Sequence, residues 1–131
     1  FDDPLWTPAR VEEVLVRDDS VRETLVVEDR SGALLATASV RLDPVNYPGD
    51  GYVHWVAAAP AARGRGLGRL ATLAVLHAFR PLGCAGAVLE TDDHRLPAIR
   101  VYLGLGFVPV CWHESHAGRW SAIRAALHTS R

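Results

Sequence analysis

The stretch APAARGRGLGRLATLAVLHAF, from Ala59 to Phe79, decides the fold class of this chain. Its first half places glycines at positions 64, 66 and 68 among arginines, and its second half repeats apolar residues at helical spacing from Leu67 onward. The apolar run at 52–59, which ends at Pro60, predicts a strand just before the stretch. The sequence therefore predicts a strand, a glycine-rich turn and a helix, which together indicate an α/β fold.

A turn of this kind is suited to holding an anion. The backbone N–H groups in the first turn of a helix have no partner within the helix, and the helix dipole adds partial positive charge there. Glycines let the backbone approach a ligand, and Arg63, Arg65 and Arg69 can donate charge-assisted hydrogen bonds. We therefore expect a phosphate or pyrophosphate site. The alternative is a plain turn with exposed arginines. It is less favoured, because three glycines would destabilise such a turn without a functional reason.

The two common nucleotide-binding loops do not fit this stretch. A dinucleotide fingerprint reads G-x-G-x-x-G, but Gly64 and Gly66 are followed by a glycine at 68 and an arginine at 69. A P-loop requires a lysine, and all 14 basic residues of this chain are arginines. Both readings therefore fail on residue identity.

The loop instead resembles motif A of the GNAT superfamily of acyl-CoA-dependent N-acyltransferases, through Arg63, Gly66 and Gly68 after a strand. A second stretch, AIRVYLGLGF at 98–107, resembles the element of that family that follows the next strand. The resemblance covers about residues 24–111. It implies one domain over 1–131, built on a mixed, mostly antiparallel, twisted central sheet flanked by helices.

The remaining patterns predict the other elements of this α/β fold. Turn and periodicity signals predict helices at 8–17, 97–103 and the C-terminus, a hairpin of strands at 24–28 and 33–40, and strands at 86–90 and 107–111. The family's first strand and helix precede its hairpin, but only one helix fits into 1–23. We therefore expect the first strand and helix to be shortened or missing.

The resemblance also implies a cofactor and roles for particular residues. Acetyl-CoA would be the co-substrate, and an acceptor amine would attack its thioester directly. The backbones of Val56 and Ala58 would pair with the pantetheine arm, and a strand N–H would serve the oxyanion. Tyr102 would protonate the departing thiolate. The pyrophosphate would lie on the loop residues Arg63, Gly64, Arg65, Gly66, Leu67, Gly68 and Arg69.

Two residues are candidates for the base that takes the proton of the amine. Strict alternation along the strand at 52–59 would place His54 on the face of Val56 and Ala58, and an unperturbed imidazole suits base work near neutral pH. Glu90, at the end of the next predicted strand, is the second candidate. Water or another group is the third alternative.

Composition bounds the partners. A net charge of -1 gives no support for a nucleic-acid partner, and no apolar run reaches the roughly 18 residues of a membrane span. The first ten residues lack the regions of a signal peptide, and the 2 cysteines suggest buried free thiols, so we expect a cytoplasmic protein. The arginine-only, alanine-rich composition suggests a bacterial source. We expect a small-molecule amine as acceptor and, from the family, a homodimer.

Two further features each allow a structural and a functional interpretation. The run His113-Glu114-Ser115-His116 lacks the H-E-x-x-H spacing, so we expect a polar connector and no metal. Asp92 and Asp93 predict a cap for the following helix rather than a site for a cationic substrate.

Two departures from the family pattern favour a rival function, a catalytically silent acyl-CoA-binding or sensory domain. They are Arg95, where the family often has asparagine, and Tyr52, where it often has glutamate. A phosphate-binding module that does not take CoA is a third possibility.

Overall fold

A computed structural model of the protein describes residues 7–129. In chain order its elements are α1 (Pro8–Val11), a π-helical turn (Glu12–Val16), β1 (Val21–Glu28), β2 (Leu34–Arg41), β3 (Asp50–Ala58), a 3-10 turn (Pro60–Ala62), α2 (Leu67–Ala78), β4 (Gly86–Val88), α3 (Leu96–Gly104) and α4 (His116–Thr129). Within 7–129 no helix is both long and apolar enough to cross a membrane.

The first helix begins where its sequence signals place it. Thr7 is the N-cap, its hydroxyl oxygen accepts the backbone N–H of Arg10 (3.2 Å), and Pro8 is the first helical residue. The helix widens into the π-helical turn, which ends where the Arg17 N–H donates to the Glu12 carbonyl (2.8 Å). The helix predicted at 8–17 is therefore confirmed, and among the described residues no strand precedes it.

The four strands form one sheet in the order β1-β2-β3-β4. The pairs β1–β2 and β2–β3 are antiparallel, and β3–β4 is parallel. The β1–β2 turn is closed by Asp29, whose Oδ1 accepts the backbone N–H groups of Ser31 (2.8 Å) and Ala33 (3.1 Å). These pairings confirm the predicted mixed, mostly antiparallel sheet, in which β3 is an interior strand. The sheet is open, with β1 and β4 at its edges.

Helix α2 packs on β2 and β3 and covers one face of the sheet. The face is identified by Gly51, where a Cβ atom would clash with the ring of Phe79 just after α2. Val53 lies on the same face as Gly51, and its partner in β2 is Val40, which is fully buried. The apolar side of α2 adds Val75, which is also fully buried. The hydrophobic core of this part of the chain therefore lies between α2 and this face.

The chain divides into two compact units, one ending at Leu89 and the other beginning at Glu90. In the second unit α3 contacts α4, each contributes a buried isoleucine (Ile99 and Ile123), and the guanidinium of Arg100 donates to the carbonyl of Leu127. The single domain over 1–131 remains a prediction.

Two strand predictions differ from the structure. No strand forms at 107–111, because Pro109 has no N–H to donate to a ladder and Val108 and Val110 lie 76% and 73% exposed. The strand predicted to end at Glu90 ends at Val88. The cysteines are free, but Cys111 is exposed, so the prediction that both are buried is wrong.

Candidate functional site

The loop before α2 has a backbone that requires glycine at two positions. Gly64 and Gly66 have φ of 77° and 74°, and Gly66 is the N-cap of α2. This left-handed region is disfavoured for residues with a Cβ atom. The first N–H of α2 with an acceptor in the helix is that of Leu70, which donates to the Gly66 carbonyl (3.1 Å). The N–H groups of residues 67–69 are therefore available to an anion.

Gly68 needs a different explanation from the other two glycines. It lies inside α2 without a positive φ, so its backbone does not require glycine. Apart from its chain neighbours and the backbone of its own helix, no described atom lies within 4 Å of a Cβ atom built on Gly68, so packing does not require glycine either. The missing side chain leaves open space at the helix N-terminus, where a ligand can approach the backbone closely.

The three arginines of the loop are positioned to meet an anion from solvent. Arg63, Arg65 and Arg69 are all exposed, and none forms an ion pair or side-chain hydrogen bond with another described residue. The pKa of Asp29 is lowered mainly by hydrogen bonds from Ser31 and Ala33, with a smaller contribution from the charge of Arg65. The loop therefore combines helical N–H donors with three guanidinium groups that can reach a bound phosphate.

Strand β3 carries a bulge between His54 and Ala57. His54 is opposite Ser39 and Ala57 is opposite Thr37, so three steps along β3 match two along β2. Trp55, inside this interval, has φ of 49° and is the only described non-glycine residue with positive φ. Such strain costs on the order of 1–3 kcal/mol and persists where the surrounding structure fixes it, often at functional sites. The sequence has no signal for it, because tryptophan does not favour this backbone.

The bulge changes which residues of β3 share a face. Directly opposite residues in antiparallel strands point to the same side, so His54 and Ala57 share the face of Ser39 and Thr37. Ala58, opposite Ala36, lies on the other face. The expectation that His54 and Ala58 share a face is therefore wrong, because it assumed an uninterrupted alternation. The roles proposed for Val56 and Ala58 depend on their backbone groups and do not require that face.

The parallel pairing of β3 with β4 is short. It joins Asp50, Gly51 and Tyr52 to residues 86–88 and ends there. From Val53 to Ala58 no strand of the described structure pairs with that side of β3. This opening lies beside the bulge and leads along β3 toward the glycine loop, so an extended ligand could pair with the strand's backbone there.

His54 is half-buried on the sheet face that carries Ser39 and Thr37. Its ring lies 5.9 Å from the ring of Tyr52 and 5.2 Å from that of Trp55, measured between centroids. Burial, followed by the positive charge of Arg41, lowers the pKa of His54 to about 4, while Asp18 opposes the shift. The expectation of an unperturbed imidazole is therefore wrong: the ring is neutral at pH 7 and is a weak base.

Tyr102, the predicted acid, lies in α3. It is partly buried, and its ring meets that of Phe107 edge-on with centroids 6.0 Å apart. Burial raises the pKa of Tyr102, and the charge of Arg95 opposes the rise. The phenol therefore stays protonated at pH 7, as a proton donor must. Glu90, the second candidate base, is exposed and lies two residues beyond the end of β4.

The acidic pair before α3 does not cap that helix. Arg95 is the N-cap and has no side-chain capping bond. Asp92 instead accepts from Arg95 Nε (3.1 Å), and Asp93 pairs with Arg119 of α4 through two hydrogen bonds (2.7 and 2.8 Å). The capping prediction is therefore wrong, because these carboxylates have arginine partners that bind them more strongly.

The polar run 113–116 leads into α4. The backbone N–H of Ser115 donates to His113 Nδ1 (3.1 Å), and the Ser115 carbonyl accepts from Arg119 N–H (3.2 Å) in the first turn of the helix. This arrangement confirms the predicted polar connector. Within 7–129 there is no group of three or more histidine, cysteine or acidic residues that could hold a metal ion.

Comparison with known proteins identifies a family for this chain. The sequence profile of the family described as "Acetyltransferase (GNAT) family" matches residues 2–107. The chain is 39% identical over 104 residues to a mycothiol acetyltransferase from Nocardia farcinica, covering 71% of this chain and 34% of that protein. A protein of the same name from Thermomonospora curvata is 38% identical over 85 residues, covering 63% and 27%. The chain thus spans about a third or less of the curated relatives it matches.

Solved structures share the fold. An acetyltransferase from Trypanosoma brucei matches with a TM-score of 0.62 and 25% identity, covering 80% of this chain and 73% of that one. A transcriptional regulator from Bacillus halodurans matches with a TM-score of 0.63 and 25% identity over the same shares of the two chains.

Proposed function

Because this chain belongs to the acetyltransferase (GNAT) family, we propose that it transfers an acetyl group from acetyl-CoA to a primary amine of a small molecule by direct attack. One observation carries the proposal: the open side of β3, the bulge at Trp55 and the glycine loop follow one another along the chain. This order matches a ligand with an extended arm that is joined to a pyrophosphate. Acetyl-CoA supplies an activated thioester at one end of such a ligand.

The loop would hold the pyrophosphate. The N–H groups of Leu67, Gly68 and Arg69 would donate to its oxygens, and the side chains of Arg63 and Arg65 would close over it. Upstream, the backbones of Val56 and Ala58 would pair with the amide groups of the pantetheine arm. A backbone N–H at the bulge would stabilise the oxyanion, since the rigid strand holds it in place before the reaction.

Tyr102 is proposed as the acid that protonates the thiolate. A phenol with a raised pKa is a weaker acid than a thiol, so complete proton transfer to a free thiolate is uphill. The position of the hydroxyl must therefore supply the effect, as negative charge develops on the sulfur. His54 is proposed as the group that accepts the amine proton, directly or through water. It is half-buried beside the bulge, whereas Glu90 is exposed after β4. A neutral imidazole can take a proton as the attacking amine becomes acidic on bonding to the thioester carbon.

The acceptor is proposed to be a small molecule, and the relatives named mycothiol acetyltransferase support this class. A homodimer, expected from the family resemblance, and a cytoplasmic location remain predictions.

A catalytically silent acyl-CoA-binding domain is the second candidate. The observation in its favour is the weak basicity of His54, whose pKa of about 4 lies far from that of an amine. The structural neighbour described as a transcriptional regulator is compatible with a GNAT fold in another role.

The release of free CoA thiol from acetyl-CoA, measured with a panel of primary amines, tests the proposal. We expect turnover with at least one small amine and a fall in kcat of about 100-fold in Tyr102→Phe. The matched control is Tyr47→Phe, which removes a phenol from the loop before β3. Unchanged turnover in Tyr102→Phe would remove the acid role. Tight binding of acetyl-CoA without turnover would favour the silent domain.

A further inference from the structure

A connected polar cluster lies beside His54 on the sheet face opposite α2. Arg41 and His54 share this face, because Ser39 is the partner of His54 and lies two residues from Arg41 along β2. The ring of Tyr52 stands next to both: the Arg41 guanidinium carbon lies 5.0 Å from its centroid, and the His54 ring lies 5.9 Å from it.

Arg41 is held in place from two sides. Its Nε–H donates to the Ser20 hydroxyl oxygen (3.1 Å), and its Nη2 lies 3.9 Å from a carboxylate oxygen of Asp43. Ser20 in turn donates its hydroxyl (2.6 Å) and its backbone N–H (2.9 Å) to Asp18 Oδ1. These bonds from Ser20, with the charge of Arg41, lower the pKa of Asp18. One carboxylate and one guanidinium are therefore joined through a serine, and the guanidinium stands over the Tyr52 ring that neighbours the imidazole.

We propose that Asp18 and Arg41 are positioning residues that act as an opposed pair of charges on His54, with Arg41 adding to the effect of burial in disfavouring the charged ring and Asp18 favouring it. Neither residue needs to touch the substrate. The titratable groups of the described structure that face the ring are Asp18 from the turn before β1, Arg41 from β2 and Tyr52 from β3. The two charges act with opposite signs, so each can be removed separately.

In the proposed reaction this pair would adjust the protonation state of the base, His54. Burial and, to a smaller extent, the guanidinium disfavour the imidazolium, so His54 is neutral when the amine arrives, while the carboxylate stabilises the proton once His54 has taken it. This catalytic consequence rests on the proposed function. The electrostatic arrangement itself does not, because it can be measured without any turnover.

The test is an NMR titration of the His54 ring in the full chain, with the signal assigned by its loss in His54→Gln. The wild-type midpoint is expected at about 4. In Arg41→Gln it should rise by about half a pH unit or more, and in Asp18→Asn it should fall. Arg41→Lys, which keeps the charge, should stay near wild type and also controls for folding. Ser20→Ala, which releases Arg41 from Asp18 without changing any charge, should give a smaller shift than either charge removal.

Equal midpoints in folded Arg41→Gln and wild-type protein would overturn the proposal, because burial alone would then account for the neutral ring. The proposal also fails if the midpoint in Arg41→Lys moves as far as in Arg41→Gln, since the charge would then not matter. A second readout is the acidic limb of the pH–rate profile in the same variants. If the NMR midpoint moves and the limb does not, the opposed pair stands and the base role of His54 in the proposed function fails.

Discussion

The glycine loop and the bulge of β3 both use left-handed backbone, but they reach it by different means. Gly64 and Gly66 have φ of 77° and 74°, which glycine adopts without steric cost. Trp55 has φ of 49°, in a region that bulky residues avoid. The loop therefore has its conformation encoded in residue type, whereas the bulge is held by the pairings of β3 on either side. The first kind of site is visible in a sequence and the second is not.

Among substitutions in the loop and the bulge, the largest change in the free energy of unfolding is expected at Trp55. Both Trp55→Gly and Trp55→Val lose the aromatic ring, so the difference between them reports the backbone. We expect the free energy of unfolding of Trp55→Val to be about 1–2 kcal/mol lower than that of Trp55→Gly, because a β-branched residue is strained at positive φ and glycine is not. Urea denaturation measures both. Equal stabilities would mean that the bulge relaxes easily and that Trp55 carries no strain.

A smaller effect is expected from His54 as pH falls. Its pKa of about 4 in the folded chain is below the ordinary 6.5, so the unfolded state binds more protons between these values. The free energy of unfolding should therefore be highest above pH 6.5 and decrease toward pH 4. After allowance for solvent screening of a half-exposed ring, we expect a loss of about 1 kcal/mol.

Thermal or urea unfolding of His54→Gln beside wild type isolates this contribution from the carboxylates, which both proteins share. The variant should lose less stability between pH 7 and pH 4.5. Parallel pH dependence in the two proteins would contradict the depressed pKa of His54.

The smallest stability effect separates Gly68 from the other loop glycines. Gly68→Ala should stabilise the chain by about 0.5–1 kcal/mol, because alanine is a better helix former and a Cβ atom there meets nothing. The same substitution should weaken binding of acetyl-CoA by filling the space at the helix N-terminus. Gly118→Ala in α4 is the matched control, since it should stabilise similarly and leave binding unchanged. Tight binding by Gly68→Ala would show that the ligand does not approach this position.

Most of the fold could be predicted because its signals are local. The hairpin, β3, α2 and α3 follow from periodicity, turn residues and the glycines, and membership of the GNAT family confirms the resemblance carried by Arg63, Gly66 and Gly68. At 107–111 the short apolar run was misleading, because a strand needs a neighbour and Pro109 cannot donate to one.

The chemistry of the site was less predictable because it depends on tertiary contacts. His54 was identified from its position on β3, but its depressed pKa comes from burial and from Arg41, a residue on another strand. The bulge that decides its face comes from the register between β2 and β3. Asp92 and Asp93 have capping residue types, yet Arg95 and Arg119 bind them instead. Of these partners only Arg95 is close in sequence, three residues after Asp92, whereas Arg41 and Arg119 are brought to their partners by the fold.

A calorimetric titration of acetyl-CoA tests directly whether the glycine loop holds the pyrophosphate. The proteins to be compared are wild type, Arg63→Ala/Arg65→Ala and Arg80→Ala. Arg80, an exposed arginine just beyond the other end of α2, is the control for a lost surface charge. We predict micromolar or tighter binding, about -8 kcal/mol, in wild type and the control. In the double variant we predict a loss of about 100-fold, because two charge-assisted contacts disappear. No binding by folded wild type, or equal binding by all three proteins, would contradict the claim that the glycine loop holds the pyrophosphate.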